Sequence, residues 1–383
     1  MAEDWDFADA DIHYMTHGLH PYPARMIPQI SSRLIQRYSE PDMLVLDPFC
    51  GSGGVLVEAL LSGRDAIGID INPLACLLAR VKTTPQNPAS LLDAWSNLRR
   101  EIEKDIHAIR FEGKKFNTPD FGDVNIDYWF KPYMIQELSA IKAHLDRIRD
   151  EHVREFFQVC FSYAVRQVSG LRKGEFKVYR IPPGQWEKYS PDVWQVFDQR
   201  VVYAISKMGE FYDTFKKIGK RTEAFVFEAD TRDLLTDKFP PEGRKRLTEG
   251  SVDLIVTSPP YGDSHTTVAY GQFSRYSLIW LGYSKARVLE IDKVSIGGRG
   301  NHKTLVSKTL NETLPKIRNS KRAQEVSAFF SDLGECFMRL GTVLRKGGYA
   351  CFVLGNRTVN NIKIPNDKIL AELGEKANLA TER

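Results

Sequence analysis

The sequence predicts an α/β protein built on a doubly wound parallel sheet, with a mostly helical insertion between the two halves of the sheet. Short apolar runs rich in branched side chains, such as MLVLD at 43–47, are typical of strands that are buried on both faces. Glycine turns and stretches of helical periodicity follow these runs, which is the order of strand–helix–strand crossovers. The chain of 383 residues is long enough for one large domain or two modest ones.

The first half of the sheet is predicted within residues 43–85. After the strand at 43–47 and a glycine turn, VLVEALLSG at 55–63 has helical periodicity and ends in glycine. A second apolar run, DAIGID at 65–70, predicts a buried strand that ends in an acid, and NPLACLLARVKT at 72–83 predicts the next helix. Strands joined by a helix in this way lie parallel in one sheet.

Long amphipathic segments occupy residues 86–222, and their apolar residues recur at helical period. The helices that they predict cover 90–110, 134–168 and 193–219. A basic segment punctuated by glycine and proline, SGLRKGEFKVYRIPPGQW, separates the second of these helices from the third. We therefore interpret 86–222 as a mostly helical insertion, and the flanking segments 1–85 and 223–383 as parts of one α/β domain.

The second half of the sheet is predicted after the insertion. AFVFEAD at 224–230, SVDLIVTSPPY at 251–261 and GGYACFVLGN at 347–356 read as strands, and a helix is expected near 324–345. The many cations and glycines at 285–322 predict a basic loop. A complete doubly wound domain usually contains further strands, so we expect either a smaller sheet or a chain that ends early.

Composition excludes several classes of protein. Apolar residues make up 42% of the chain and charged residues 27%, as in folded globular proteins, and the net charge of +4 is compatible with a polyanionic partner. The 5 cysteines are dispersed without a CxxC pair, which argues against a disulfide framework and against a metal site. The N-terminal segment is acidic and no stretch approaches 18 apolar residues, so we expect no signal peptide and no membrane span. These features favour a cytoplasmic protein.

The turn after the first strand, DPFCGSGG at 47–54, indicates a nucleotide-like pocket. Its glycines allow a ligand to approach the backbone, and the following helix presents free N–H groups. The spacing is neither the dinucleotide fingerprint G-x-G-x-x-G nor a P-loop, so the pocket does not require a phosphate. Asp47 is placed to meet a cationic group of the ligand, and Asp70 to bind two ribose hydroxyls. A generic glycine turn is the alternative.

The motifs DPFCGSGG, GIDINP and TSPPY together resemble those of the amino-group DNA methyltransferases that use S-adenosylmethionine. The resemblance covers about 17–85 and 225–360 and leaves out the helical insertion. It implies a Rossmann-like methyltransferase sheet, formed by 1–85 and 223–383, as the catalytic domain. It also implies S-adenosylmethionine as the cofactor and DNA as the partner.

Three parts of the chain are implied to bind this cofactor. They are the glycine turn with the acid after the second strand, the segment at 17–30 that resembles the family's cover over the methionine end, and the stretch after the third strand. The implied cofactor-binding residues are Asp47, Pro48, Phe49, Gly51, Ser52, Gly53, Asp70, Asn72, Asp230, His20 and Tyr22. The alternatives are a capping role for Asp230, core packing for Phe49 and a simple N-terminal strap for the segment at 17–30.

The stretch TSPPY resembles the family's catalytic loop and implies Ser258, Pro259, Pro260 and Tyr261 as catalytic residues. An exocyclic amine of a base is a poor nucleophile, because its lone pair is delocalised into the ring. The Ser258 hydroxyl and the Pro259 carbonyl can accept its hydrogens out of the ring plane, and the prolines fix the carbonyl's direction. Tyr261 would stack on a base flipped out of the duplex. A rigid proline turn without a catalytic role is the alternative.

The residue before the two prolines bears on the choice of base. The family tends to place Ser there for cytosine N4 and Asp or Asn for adenine, and no Pro-Cys dipeptide is present for carbon-5 methylation. The sequence therefore predicts a site-specific cytosine-N4 DNA methyltransferase, the modification arm of a restriction or defence system acting on nucleoid DNA. Methylation of adenine N6, methylation of guanine N2 in tRNA and a silent nucleic-acid-binding module remain alternatives.

Two basic segments are candidates for DNA contact, because cations neutralise phosphates. One lies within the insertion at 166–180 and interleaves cations with Phe176 and Tyr179, and the other is the loop at 285–322. The candidate DNA-binding residues are Arg166, Arg172, Lys173, Lys177, Arg180, Arg299 and Lys303. The insertion as a whole is a candidate DNA-recognition region, and a solvated charged loop is the alternative for each segment.

Overall fold

A computed structural model of the chain describes residues 5–260, 269–298 and 307–382. The strands in these ranges are β1 (Leu44–Asp47), β2 (Asp65–Asp70), β3 (Ala224–Glu228), β4 (Val252–Thr257), β5 (Leu344–Phe352), β6 (Arg357–Val359) and β7 (Ile362–Ile364). The first five form one sheet in the order β3-β2-β1-β4-β5, in which each neighbouring pair is parallel. The last two form an antiparallel hairpin.

Helices connect and cover these strands. The α-helices in the described ranges are α1 (Pro28–Tyr38), α2 (Gly54–Leu61), α3 (Pro73–Thr83), α4 (Pro88–Phe111), α5 (Pro132–Leu145), α6 (Glu151–Val168), α7 (Pro183–Lys188), α8 (Val193–Lys217), α9 (Pro241–Arg246), α10 (Tyr270–Trp280), α11 (Lys285–Val294), α12 (Lys308–Thr313), α13 (Ser320–Val343) and α14 (Asn366–Lys376). Short 3₁₀ helices cover Met15–Gly18, Ile126–Tyr128, Thr231–Asp233 and Leu314–Lys316. None of the helices so described is long and apolar enough to cross a membrane.

The strand order makes β1 the centre of the sheet. The chain runs from β1 outward to β2 and β3, and then returns to form β4 and β5 on the other side. Val45 of β1 is in register with Ala66 of β2 and with Leu254 of β4. This arrangement confirms the predicted doubly wound fold, and its strand order reverses between β1 and β4, where such folds open a crevice at the carboxyl ends of the strands.

Both faces of the central strands β1, β2 and β4 are mostly buried, which explains why these strands read as continuous apolar runs. Successive residues of β1 point to opposite faces, so that Val45 packs in one cluster with Ile35 of α1 and Leu254. Its neighbour Leu46 packs in another cluster with Ile67 and with Leu340 of α13. Alternation of apolar and polar residues is absent from β1, β2 and β4 because neither of their faces is open to water, whereas β3 and β5 at the edges of the sheet are mostly half-buried or exposed.

The helices of residues 86–222 share one core with the α/β part of the chain. The Trp95 ring of α4 packs against Phe157 of α6 and Phe197 of α8, with ring centroids 5.7 and 5.6 Å apart. The same cluster of buried side chains contains Leu78 of α3 and Trp280 of α10. The insertion is therefore packed directly against the elements that follow β2 and β4.

The segment 285–322 differs from the predicted basic loop. Within its described residues it contains α11, α12, a 3₁₀ turn and the start of α13. Val288 and Ile291, three residues apart on α11, are buried, and the Ser284 hydroxyl caps the helix by accepting from the Arg287 N–H. The many cations at this segment concealed the short apolar stripe that makes α11 a helix.

Candidate active site

The glycine turn and the Ser-Pro-Pro segment begin side by side at the carboxyl edge of the sheet. Asp47 is the last residue of β1 and Thr257 is the last residue of β4, the neighbouring strand. The Thr257 hydroxyl donates a hydrogen bond of 2.6 Å to Asp47 Oδ1, which also accepts the Phe49 N–H at 3.1 Å. Burial raises the pKa of the Asp47 carboxyl to about 7 against the opposing effect of these donors.

A cavity of about 390 Å³ opens above this edge. The predicted site residues among its lining are Tyr22, Asp47, Pro48, Phe49, Gly51, Ser52, Asp70, Asn72, Asp230, Ser258 and Pro260. Among the predicted catalytic and cofactor-binding residues that the structure describes, His20, Gly53 and Pro259 lie outside the lining. Tyr261 falls outside the described residues. Most of the predicted cofactor-binding residues thus share one cavity with the Ser-Pro-Pro segment.

Asp70 ties the end of β2 to the glycine turn. Its Oδ2 accepts the Gly51 N–H at 2.9 Å, and its Oδ1 accepts the Asn72 N–H at 2.8 Å. Burial raises the pKa of the Asp70 carboxyl to about 6, although these two N–H donors favour the ionised form. Each carboxylate oxygen has a second lone pair, so the group retains acceptor capacity toward hydroxyls of a ligand.

Asn72 and Tyr22 fix the N-terminal segment against the cavity wall. The Asn72 amide donates to Ser274 Oγ at 2.7 Å and to the Tyr22 hydroxyl at 3.2 Å, while its Oδ1 caps α3 by accepting the Leu74 N–H. The Tyr22 ring stacks on Tyr270 with centroids 6.1 Å apart. The segment that contains Tyr22 is therefore joined to α3 and α10, as a cover over the cavity requires.

His20 does not face the cavity, although it belongs to the same segment. Its side chain is fully buried, its Nδ1 bonds the Pro21 carbonyl oxygen at 2.6 Å and its Nε2 bonds Ser162 Oγ of α6 at 3.0 Å. Burial lowers the His20 pKa to about 3, so the ring is neutral. His17, three residues earlier, takes the place at the cavity wall and bonds Glu58 Oε1 at 2.8 Å.

Gly53 is required by packing at this turn. It has a φ of +79°, and a Cβ at this position would lie 2.8 Å from the Ala79 Cα of α3. A larger residue would push α3 away from the first turn of α2. The glycine thus lets the two helices cross closely beside the cavity, although it does not line the cavity itself.

Asp230 is held in an ion-pair network at the far side of the cavity. Both oxygens of its carboxylate accept hydrogen bonds from the Arg232 guanidinium, and Arg232 also pairs with Asp332 at 2.8 Å. The neighbouring wall is formed by Val294, the last residue of α11, and by Ile296 just after this helix. An acid beside apolar side chains fits a flat, partly polar group such as a nucleobase.

Several residues of the cavity wall were not assigned a role from the sequence. Arg25, Lys82, Phe176 and Arg232 contribute to the wall together with His17. Arg25 and His17 belong to the N-terminal segment 17–30, and Phe176 belongs to the basic segment 166–180. Lys82 carried no distinguishing pattern, because a lysine in the last turn of a helix is commonly a surface residue.

The predicted DNA-binding cations occupy different environments. Arg166 is buried, with its guanidinium 3.9 Å from the Phe273 ring centroid and its donors on the carbonyls of Phe273 and Glu175. Lys173 Nζ likewise turns back to the Arg166 carbonyl at 2.9 Å. The Arg166 side chain therefore holds the segment in place, whereas Lys173 is an exposed residue whose ammonium is bonded within the segment.

The other cations of this segment differ in exposure. Arg172 is exposed, with its guanidinium 6.0 Å from the ring of Tyr179, while Lys177 and Arg180 are half-buried. Arg180 lies 3.9 Å from the ring of Tyr128. The two other candidates, Arg299 and Lys303, fall outside the described residues. Within the described ranges, no group of three or more His, Cys, Asp or Glu side chains is placed to hold a metal ion.

Known proteins are similar to this chain in sequence. The family model N6_N4_Mtase, described as a DNA methylase, matches residues 5–80. The Type II methyltransferase M.MvaI of Kocuria varians is 35% identical over 97% of this chain and 84% of that protein. The Type II methyltransferase M.MjaII of Methanocaldococcus jannaschii is 23% identical over 77% of this chain and 67% of that protein. The solved rRNA methyltransferase aviRa from Streptomyces viridochromogenes has a TM-score of 0.37 and 13% identity, covering 93% of this chain and 85% of its own.

Proposed function

The chain belongs to the family of amino-group DNA methyltransferases, and we propose that it transfers a methyl group from S-adenosylmethionine to the N4 amine of cytosine in DNA. The observation that carries the proposal is the bond between Thr257 and Asp47, which joins the Ser-Pro-Pro segment to the glycine turn. Because both segments border one cavity, a bound cofactor and a target base would meet there.

The cavity wall fits the proposed cofactor. Asp70 retains acceptor capacity for ribose hydroxyls, and Asp230 lies beside the apolar side chains of Val294 and Ile296, where an adenine ring fits. Asp47 provides a buried carboxyl near the turn, suited to a cationic centre. When bound, S-adenosylmethionine supplies a methyl group on a positively charged sulfur, which leaves as a neutral thioether.

The chain's own contribution to the reaction is the orientation of the amine. We assign the Ser258 hydroxyl and the Pro259 carbonyl as acceptors for its two hydrogens, which takes the nitrogen lone pair out of conjugation with the ring. Pro259 and Pro260 restrict the backbone, and the Thr257–Asp47 bond fixes the start of the segment. Little reorganisation is then needed when the base enters. Residue 258 is a serine rather than an acid or an amide, which supports cytosine over adenine as the target base.

The proposed DNA contacts lie around the cavity mouth. Phe176 lines the cavity and is 43% exposed, so the segment 166–180 reaches from the insertion to the opening. We propose that Arg172, Lys177 and Arg180 contact phosphates on this side, with Tyr261 stacking on the flipped base. The insertion 86–222 would then serve as part of the DNA-recognition surface of a cytoplasmic modification enzyme in a restriction or defence system.

Methyl transfer to different nucleic acids tests this proposal. The chain is incubated with methyl-labelled S-adenosylmethionine and either duplex DNA or tRNA of equal nucleotide concentration. Label is expected in DNA and to be lost with the variant Pro259→Ala, whose binding of S-adenosylhomocysteine should persist. Label in tRNA alone would contradict the proposal, and loss of cofactor binding in the variant would contradict the separate role given to Pro259.

A further inference from the structure

A lysine is buried in the wall of the cavity without an ion-pair partner. Lys82, in the last turn of α3, is 1% exposed, and its Nζ donates to Ser52 Oγ of the glycine turn at 3.0 Å. An ammonium has three hydrogens, and Ser52 supplies the acceptor for one of them. Among the residues that the structure describes, no carboxylate forms an ion pair with Lys82.

The surroundings of Lys82 are positive. Burial holds the pKa of Lys82 well below the ordinary value, and the neighbouring charges of Arg25 and Arg200 lower it further. Glu58, a buried acid of α2, pairs instead with His17, since its Oε1 bonds His17 Nε2 at 2.8 Å and accepts the Tyr14 hydroxyl at 2.5 Å. Isolated buried cations are costly, so this arrangement favours an anion at the Lys82 ammonium.

The backbone at the same place also favours an anion. Ser52 immediately precedes Gly53, the N-cap of α2, and the structure records no side-chain cap for the eight-residue helix. Its first N–H groups and the positive end of its dipole therefore lie next to the residue that Lys82 contacts. Two independent features, a buried ammonium and an uncapped helix start, converge on one point of the wall.

We propose that Lys82 binds the carboxylate at the amino-acid end of the cofactor, and this inference rests on the proposed function. The cavity's other polar groups fit the remaining parts of such a ligand, with Asp70 toward hydroxyls and Asp230 beside an apolar slot. The carboxylate supplies the negative charge that the described surroundings of Lys82 do not provide. Lys82 and Ser52 would then select ligands that carry this group.

Calorimetry with two ligands tests the assignment. S-Adenosylhomocysteine carries the carboxylate, and its decarboxylated analogue keeps the adenosine, sulfur and amine. The wild-type chain is expected to bind the first at least ~10-fold more tightly than the second, because charge-assisted hydrogen bonds contribute about 1.5–3 kcal/mol. The variant Lys82→Met should lose that preference by weakening only the binding of S-adenosylhomocysteine.

A matched control separates ligand recognition from general stability. Arg64 is a buried cation that bonds Ser39 and the Ser62 carbonyl and lies outside the cavity lining. Arg64→Met should retain the wild-type preference between the two ligands. If Lys82→Met does not fold, Lys82→Arg, which keeps the cation, should retain a preference for the carboxylate.

Each result decides between the proposals. Two results would overturn the role of Lys82 while leaving the proposed function intact. One is that the wild-type chain binds both ligands with equal affinity, and the other is that Lys82→Met weakens the binding of both ligands equally. Absence of binding of either ligand to the wild-type chain would instead overturn the proposed function, and the Lys82 assignment with it. If Lys82→Met binds S-adenosylhomocysteine more weakly but binds the decarboxylated analogue as the wild type does, the result supports both the proposed function and the role of Lys82.

Discussion

The hydroxyl of Thr257 and the carboxyl of Asp47 share a hydrogen bond of 2.6 Å across two neighbouring parallel strands. Thr257 immediately precedes the Ser-Pro-Pro segment, and Asp47 immediately precedes the glycine turn. Both side chains are buried, at 0% and 3% exposure, so water does not compete for the bond. This contact sets the spacing between the two segments on which the proposed methyl transfer depends.

Removing that hydroxyl should slow turnover more than it weakens cofactor binding. In Thr257→Val the Asp47 carboxyl keeps the Phe49 N–H but loses its partner on β4. We expect kcat to fall by about 10–100-fold, since small misplacements of reacting groups cost rates of this order. Steady-state kinetics and calorimetry with S-adenosylhomocysteine measure the two effects.

Thr313→Val is the control for this substitution. Thr313 is also buried, but its hydroxyl donates to the Thr309 carbonyl within α12, away from the cavity lining. The control should turn over at the wild-type rate. A parallel loss of kcat in both variants, or an unchanged kcat in Thr257→Val, would argue against the positioning role.

Asp47→Asn should change how stability depends on pH. Burial raises the folded-state pKa of Asp47 to about 7 from 3.8, so between these values the folded chain holds a proton that the unfolded chain has released. Wild-type stability therefore contains a contribution that falls as pH rises from about 4 to about 7. Asn keeps an oxygen for Thr257 and Phe49 but does not titrate.

Urea unfolding at pH 5 and pH 8 measures this difference. The difference in free energy of unfolding, Asp47→Asn minus wild type, should increase from pH 5 to pH 8 by roughly 2 kcal/mol or more. This size follows from the pKa shift of Asp47 in the wild type. Asp70 also makes a contribution to stability that falls as the pH rises, but this contribution is present in both proteins and largely cancels in their difference. A difference that stays constant or falls as the pH rises would contradict the claim that folding raises the pKa of the Asp47 carboxyl.

Asp70→Ala should weaken cofactor binding severely, because the carboxylate is the acceptor proposed for the ribose hydroxyls. Calorimetry with S-adenosylhomocysteine is expected to show a loss of at least ~10-fold, the scale of a charge-assisted hydrogen bond. Asp65→Ala is the control at the opposite end of β2, where Asp65 is exposed and accepts the Glu223 N–H. Equal affinities for the wild type and Asp70→Ala would remove Asp70 from the site.

Reversing a charge at the cavity mouth should alter the salt dependence of DNA binding. Arg172 is exposed in the segment that carries Phe176 to the opening, so Arg172→Glu should flatten the slope of log K against log salt by about 1 or more. Arg221→Glu is the control, because Arg221 is exposed and precedes β3 at the amino edge of the sheet. Matching slopes for Arg172→Glu and the wild type would direct attention to the segment 285–322.

Local patterns were sufficient to predict the sheet and much of the cavity wall. Residues that end adjacent parallel strands meet at one edge, so identifying β1, β2 and β4 was enough to bring Asp47, Asp70 and Ser258 together. The sequence could not tell His17 from His20, since the segment that carries them has little regular structure and each orientation depends on distant partners, Glu58 and Ser162.

Cations were harder to place than acids at strand ends. Arg166 and Arg172 look alike in a basic segment, but Arg166 is drawn into the core by the ring and carbonyl of Phe273. Lys82 resembles a solvated lysine of a helix end, and its burial arises where α3 crosses the first turn of α2. Such contacts between residues distant in sequence leave no periodic pattern.

The base that is modified tests the central claim most directly. DNA from a host expressing the chain, and from one expressing Pro260→Ala, is digested to nucleosides and analysed by mass spectrometry. The proposed site at Ser258 and Pro259 predicts N4-methyldeoxycytidine in the first sample and none in the second. N6-methyldeoxyadenosine in place of the cytosine product, or equal modification in both samples, would contradict the account.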